Sequence, residues 1–259
     1  MIQFPDFTTF AAIFADPRLV PAVVVSILAG AVRGFSGFGS ALIYVPLVSA
    51  IYDPRTAAIT FLLIDVATGL ALMPGAWRQA DWREVTPLAM AAIFAGQFGT
   101  LILQYADPTT LRWAISIIVG AAVAVLASGW RYHGRPLLIV TMIVGLLAGL
   151  MGGAVQISGP PVIVYWLGSL NQATSMRANF LCYFSVFAFG LFFTYLARGL
   201  LSAEFIALAA ILGAVQILSV GIGARLFFLA TEKTYRHVAY TIIALSAIVS
   251  MPLFDSLVK

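Results

Sequence analysis

Long apolar stretches follow one another along this chain, with only short polar joints between them. They run near 57–77, 85–105 and 111–130, and again near 178–196, 205–228 and 238–254. A helix needs about 20 predominantly apolar residues to cross the hydrocarbon core of a bilayer, and these stretches come close to that length. Only 9% of the residues are charged and 62% are hydrophobic. A soluble domain carries roughly 25% charged residues, so this chain cannot cover its own surface in water. Trp77, Trp82, Trp113 and Trp130 sit near the ends of stretches, where aromatic belts meet the headgroups. The expected fold is all-α: a polytopic, multi-pass membrane helix bundle, with the lipid bilayer as solvent and no soluble domain.

The remaining composition excludes several classes. The net charge of +4 comes from basic residues scattered singly, which suits loop anchors whose heads reach the interface and gives no nucleic-acid partner. Cys182 is alone, so there is no disulfide framework and no CxxC metal site. No HExxH, GxSxG or Walker pattern occurs, and the two histidines, His133 and His237, fall at the edges of stretches. The chain therefore reads as no enzyme, without cofactor or metal, and not an ATP-driven pump. The N-terminus lacks the pattern of a cleavable signal peptide. Phe4, Phe7, Phe10 and Phe14 recur at helical spacing ahead of the first base, Arg18, which predicts an interfacial segment over 1–18.

Two stretches are interrupted. The run from Leu19 to about Tyr52 is too long for one straight span and is broken by Arg33-Gly34-Phe35-Ser36-Gly37-Phe38-Gly39-Ser40. Glycine is poor helix material, so a half-helix over 19–32, a break and a second half-helix are expected. The pattern restarts after the polar joint 131–136: 137–151 is apolar, 152–161 is a break rich in Gly and Pro, and 162–170 is a short apolar run. At a shift of 119, Ala29-Gly30 falls on Ala148-Gly149, Gly34 on Gly153 and Phe61-Leu62 on Phe180-Leu181; later the shift is 124, and Gly99 falls on Gly223 and Arg112 on Arg236. Two related halves follow, 19–130 and 137–259 joined by 131–136, each a discontinuous first helix and three spans, about eight segments in all. If each break lies within one crossing, the repeats are parallel. If each is the tip of a re-entrant hairpin, they are inverted.

Paired breaks of this kind are the best sequence pointer to a transporter binding site, because non-helical backbone at membrane depth survives only where it lines a cavity or is buried in protein. The bland alternative is that the glycines only let helices pack closely. The site reading selects Gly34, Ser36, Gly37, Gly39 and Ser40 in the first break, and Gly153, Gln156, Ser158, Gly159 and Pro160 in the second. Pro161 suits the first turn of a helix, whose N-terminus would offer N–H groups and partial positive charge to an anion. Arg33 adjoins the first break, about 21 Å along its half-helix at the α-helical rise, and could bind an anionic group in its planar fork. Asp65 is the one acid near the middle of a stretch; it could pair with Arg33 or carry a proton. Asn179 aligns with Thr60 and joins the substrate candidates, while Gln97 and Gln216 read as interhelical hydrogen-bonding amides.

The residues Ala29-Gly30, Arg33-Gly34-Phe35-Ser36-Gly37-Phe38-Gly39 and the later Pro46 resemble the glycine-rich motif of the sulfite exporter TauE/SafE family. Gly149-Leu150-Met151-Gly152-Gly153 with Gly159-Pro160-Pro161 looks like the same motif in the second half, and Gly99-Thr100 and Gly221-Ile222-Gly223-Ala224 also fit. Gln156 and Ser158 depart from the small residues usual there. The resemblance implies an inner-membrane carrier with two four-segment halves that moves sulfite, organosulfonates such as sulfoacetate, or related organic anions. Joined to the residue reading, it predicts a secondary transporter for a small anion working by alternating access, with Asp65 as the candidate proton-coupling residue and a homo-oligomer compatible with the surface. An anion or neutral-solute channel and a non-transporting assembly subunit are the rival readings.

Overall fold

An acid followed by a proline starts two of the helices. Asp53 accepts from the N–H groups of Arg55 and Thr56 with Pro54 in the first turn, and Asp107 accepts from Thr110 N–H with Pro108 in the first turn. The proline costs nothing there because its missing N–H would have no partner, and the carboxylate satisfies donors the helix cannot. In a computed structural model that describes residues 4–36, 39–129, 137–167, 173–226 and 232–254, such helices make up the fold. The first half holds α1 (Phe7–Ala15), α2 (Leu19–Ser36), α3 (Ala41–Ile51), α4 (Pro54–Ala76), α5 (Trp82–Tyr105) and α6 (Pro108–Ser128). The second holds α7 (Leu138–Val155), α8 (Gly159–Leu167), α9 (Ala173–Ala197), α10 (Ala203–Leu226) and α11 (Glu232–Val249). Among the described residues six helices are long and apolar enough to cross a membrane, or up to seven if the bent pair of α1 and α2 counts as one span. A broken first helix and three further helices recur in each half, and the count of long apolar helices falls short of the eight segments expected.

Both breaks are shorter than glycine content suggests. α2 continues through Arg33 and Gly34 to Ser36, and α7 continues through Gly152 and Gly153 to Val155. A helical glycine costs about 1 kcal/mol, but in lipid it lets two backbones approach. A Cβ at Gly145 would lie 2.6 Å from Leu88 O, one at Gly149 2.1 Å from Ala92 O, and one at Gly153 2.3 Å from Gly96 O. The pairs rise together in number, so α5 and α7 run in the same direction. Related contacts join α2 to α10. Gly149 on Ala92 corresponds to Gly30 on Gln216, and Gly99 on Leu150 corresponds to Gly223 on Ala31, at the two shifts read from the sequence.

The remaining contacts give the handedness of the repeat. α9 runs with α5: Ile93 lies against Gly190, and Gln97 Nε2 donates to Thr194 Oγ1 at 2.6 Å. α4 runs against α9: Gly69 lies on Ser185, and just beyond α4 the Asp81 N–H donates to Asn179 Oδ1. α10 turns back from α9 through the short joint 198–202, and α2 runs beside it in the same sense. Arg18, at the start of α2, has its pKa raised first by its hydrogen bond to Asp16 and also by Glu204 at the start of α10. Thus α2, α4 and α10 point one way, and their counterparts α7, α9 and α5 point the other. The repeats are inverted.

Each break is the tip of a hairpin. Thr141 Oγ1 and Tyr165 OH, on the two legs of the second, are 2.6 Å apart; along one straight helix those residues would be separated by about 36 Å. In the first, the Arg18 guanidinium lies over the Tyr52 ring, 4.6 Å from its centroid. Pro46 within α3 removes the N–H that Leu42 O would accept, and Ser246 Oγ of α11 donates to that oxygen at 2.9 Å. On α5 the large exposed side chains Met90, Phe94, Phe98 and Leu101 lie on the face away from Ala92, Gly96 and Gly99, so the apolar face is turned to lipid. α1 lies at 91° to α2 with Phe7 and Phe14 exposed, and its capping Asp6 is held down to about 2 by the hydroxyl and N–H of Thr9 and the hydroxyl of Thr8.

Gly149→Val should force α5 and α7 apart and abolish the monodisperse detergent-solubilised peak, whereas Gly120→Ala, where a Cβ meets nothing within 4 Å, should leave it intact or slightly more heat-stable. Ser246→Ala strands the Leu42 carbonyl and should lower stability by about 1–3 kcal/mol, read as an earlier melting of that peak on heating.

Candidate functional site

Residues of both hairpin tips line one cavity. The first contributes Arg33 from the end of α2, then Gly39 and Ser40, which lead into α3. Gly39 has φ +92°, a conformation glycine adopts without a Cβ clash. Ser40 stands at the start of α3 but makes no side-chain cap; its hydroxyl accepts from Arg33 Nη1 at 3.4 Å instead. The second tip contributes Gln156, Ile157, Ser158, Gly159 and Pro160. Prolines at 160 and 161 leave few N–H groups in the first turn of α8, so Gly159 is its foremost donor. The starts of α3 and α8, the positive ends of their dipoles, both border the cavity.

Arg33 and Asp65 form an ion pair inside the protein, with 7% and 9% of their surfaces exposed. Isolated, either charge would be prohibitively costly at this depth; paired, each compensates the other. The guanidinium is not used up by this pairing, because its Nε is buried with no hydrogen-bond partner among the described residues. Phe61, Phe184 and Phe187 also line the cavity, so charged and aromatic side chains share it, with Phe61 one turn before Asp65 on α4. The inverted repeat makes the asymmetry plain: the counterpart of Asp65 is Phe184, and the counterpart of Arg33 is Gly152.

Gln156 carries the second tip. It caps α7 with φ +58°, the one described residue other than glycine at positive φ. Such a conformation costs an L-residue roughly 1–2 kcal/mol and persists at functional sites when neighbours hold it. Its N–H donates to Gly152 O at 2.8 Å, its Nε2 donates to Tyr195 OH at 3.2 Å, and that hydroxyl donates to Gly153 O at 3.4 Å. Its repeat counterpart, Gly37, lies outside the described residues, as do the joint 131–136 and the side chain of Ser36.

Eight of the residues selected from sequence line this cavity: Arg33, Gly39, Ser40, Asp65, Gln156, Ser158, Gly159 and Pro160. Three do not. Gly34 is buried within α2, Gly153 is pressed on Gly96, and Asn179 spends its oxygen on the Asp81 N–H where α4 passes to α5. The aromatic wall and Tyr195 went unselected, since an aromatic residue in an apolar helix carries no local mark of function; the alignment of Phe184 with Asp65 was the available signal. Gln156→Gly and Gln156→Ala both remove the amide, and they differ in tolerance of positive φ. The glycine variant should be the more stable by about 1 kcal/mol, measured by thermal unfolding in detergent.

Comparison with known proteins places these features in a wider set. The profile described as "Sulfite exporter TauE/SafE" matches residues 22–250. The chain is similar to a protein of Cupriavidus necator described as "Probable sulfite/organosulfonate exporter TauE", with 24% identity over 247 residues that cover 90% of this chain and 95% of that one. No solved structure matches.

Proposed function

Because this chain belongs to the sulfite exporter TauE/SafE family and is a multi-pass membrane transporter, we propose that it carries a small anion, sulfite or an organosulfonate, across the inner membrane by alternating access. The observation that carries the reading is Arg33: a buried guanidinium with an unspent Nε donor, bordering a cavity between two non-helical tips. The anionic head would take the guanidinium and the donors at Ser40, Ser158 and Gly159, and the organic part would lie on Phe61, Phe184 and Phe187. Inverted repeats with a site at their meeting point support alternating access, because the two halves can exchange conformations around a fixed ligand. The moving parts would be 19–130 and 137–259, with 1–18 resting in the interface. Asp65, released from Arg33, would hold the coupling proton. The name of the Cupriavidus necator relative supports the sulfur-anion class.

Purified protein in liposomes should take up a labelled anion from a panel of sulfite, sulfoacetate, taurine, sulfate and acetate, with saturation and counterflow, which a channel would not show. Arg33→Ala should lower that uptake roughly tenfold or more, given the strength of charge-assisted hydrogen bonds. Undiminished uptake by Arg33→Ala would sink the assignment of the site, and an absence of uptake for every anion would sink the transporter reading.

A further inference from the structure

Charge counting at the cavity carries the reading one step further. Among the described residues that line it, Arg33 and Asp65 are the two charged ones. Among the described residues lining the cavity, none on the elements packed on α4 adds a charge beside Asp65, and Arg177, near the start of α9, is exposed. On α3, Tyr44 donates to Thr60; on α9, Tyr183 stacks on Phe187 and carries no charge. α10 bears charge only near its ends, at Glu204 and Arg225, and Arg112 lies near the start of α6. The empty site is therefore neutral, one cation against one anion. An anion that reaches the unspent Nε of Arg33 sets a second negative charge against the one cation, and among the described residues lining the cavity there is no second cation to balance it. Two buried anions sharing one cation are strongly unfavourable, so the Asp65 carboxylate gains a proton from the aqueous phase as the anion binds. One O–H bond forms on Asp65 and nothing else changes covalently. The loaded site then holds Arg33 as cation, the substrate's single negative charge and a neutral acid, and is neutral again. A dianion would leave one uncompensated charge against the aromatic wall.

We infer that the cavity is selective for monovalent anions and binds each with one proton on Asp65, so that anion and proton move together without net charge. This rests on the transporter reading above and narrows it. Monosulfonates and hydrogensulfite fit; sulfate does not, and sulfoacetate fits only when its carboxyl group is protonated.

The test uses the full-length protein, with methanesulfonate as the monovalent probe and sulfate as the divalent one. Calorimetry in detergent should show methanesulfonate affinity rising about tenfold for each unit fall in pH, the signature of one proton bound per anion. Asp65→Asn should bind methanesulfonate more tightly and without pH dependence, and should regain thermal stability when the anion supplies the missing partner of Arg33. Sulfate should bind on the order of a hundredfold more weakly than methanesulfonate, as an unpaired buried charge requires. Should Asp65→Asn fail to fold, proton uptake by the native protein, counted from binding heats in buffers of different ionisation enthalpy, decides the matter. Binding without proton uptake, or sulfate bound as well as methanesulfonate, would overturn the inference. In liposomes, methanesulfonate uptake that is driven by a membrane potential and insensitive to a proton gradient would overturn it while leaving the transporter standing. Failure of every anion to bind or move would remove both.

Discussion

Backbone that leaves the helix inside a membrane has to find its hydrogen-bond partners in the protein. Both hairpin tips of this chain are such backbone, and the surrounding architecture keeps lipid from them. α7 is pressed so closely on α5 that no Cβ fits between Gly149 and Ala92, and α2 is seated on α10 in the corresponding way. These contacts hold both tips at the lining of one cavity. The freed carbonyl ahead of Pro46 is met by Ser246, and the turn at Gln156 is held by Tyr195.

The halves agree in backbone and differ in charge. Inversion brings Asp65 and Phe184, counterparts in the repeat, to the same cavity from α4 and α9. A symmetric pair of arginines or of carboxylates there would repel in a medium that screens little. One ion pair sharing the cavity with aromatic rings avoids that repulsion and leaves a single guanidinium as the place where an anion can be held. The same asymmetry appears in the tips: glycine at position 37 is answered by Gln156, whose amide reaches Tyr195 and ties the second tip to α9.

Much of this was legible in the order of residues. Apolar length and scarce charge required a bilayer, Asp-Pro pairs marked the starts of α4 and α6, and the repeat shifts anticipated the contacts of Gly30 and Gly223. The glycine clusters marked where the two helices break and overestimated the extent of the breaks, since Gly34, Gly152 and Gly153 are helical and the last two lie against Phe187 and Gly96. Asn179 lies away from the cavity lining, its Oδ1 accepting from the Asp81 N–H, and a buried amide looks the same in sequence whether it meets a ligand or a backbone N–H. Phe61, Phe184 and Phe187 were indistinguishable from the other aromatics of apolar helices.

By itself the sequence determined the solvent, the helical class, the two-fold repetition and the identity of the one buried acid and the arginine able to meet it. Those follow from hydropathy and from periodicity, which are properties of neighbouring residues. Whether the broken helices run straight or fold back was decided only in three dimensions, because Thr141 and Tyr165, or Arg18 and Tyr52, meet through contacts that no local pattern encodes. The direction of the repeats, the sharing of one cavity by the two tips and the pairing of Arg33 with Asp65 all depend on that fold-back, since it carries residues of both breaks to one cavity.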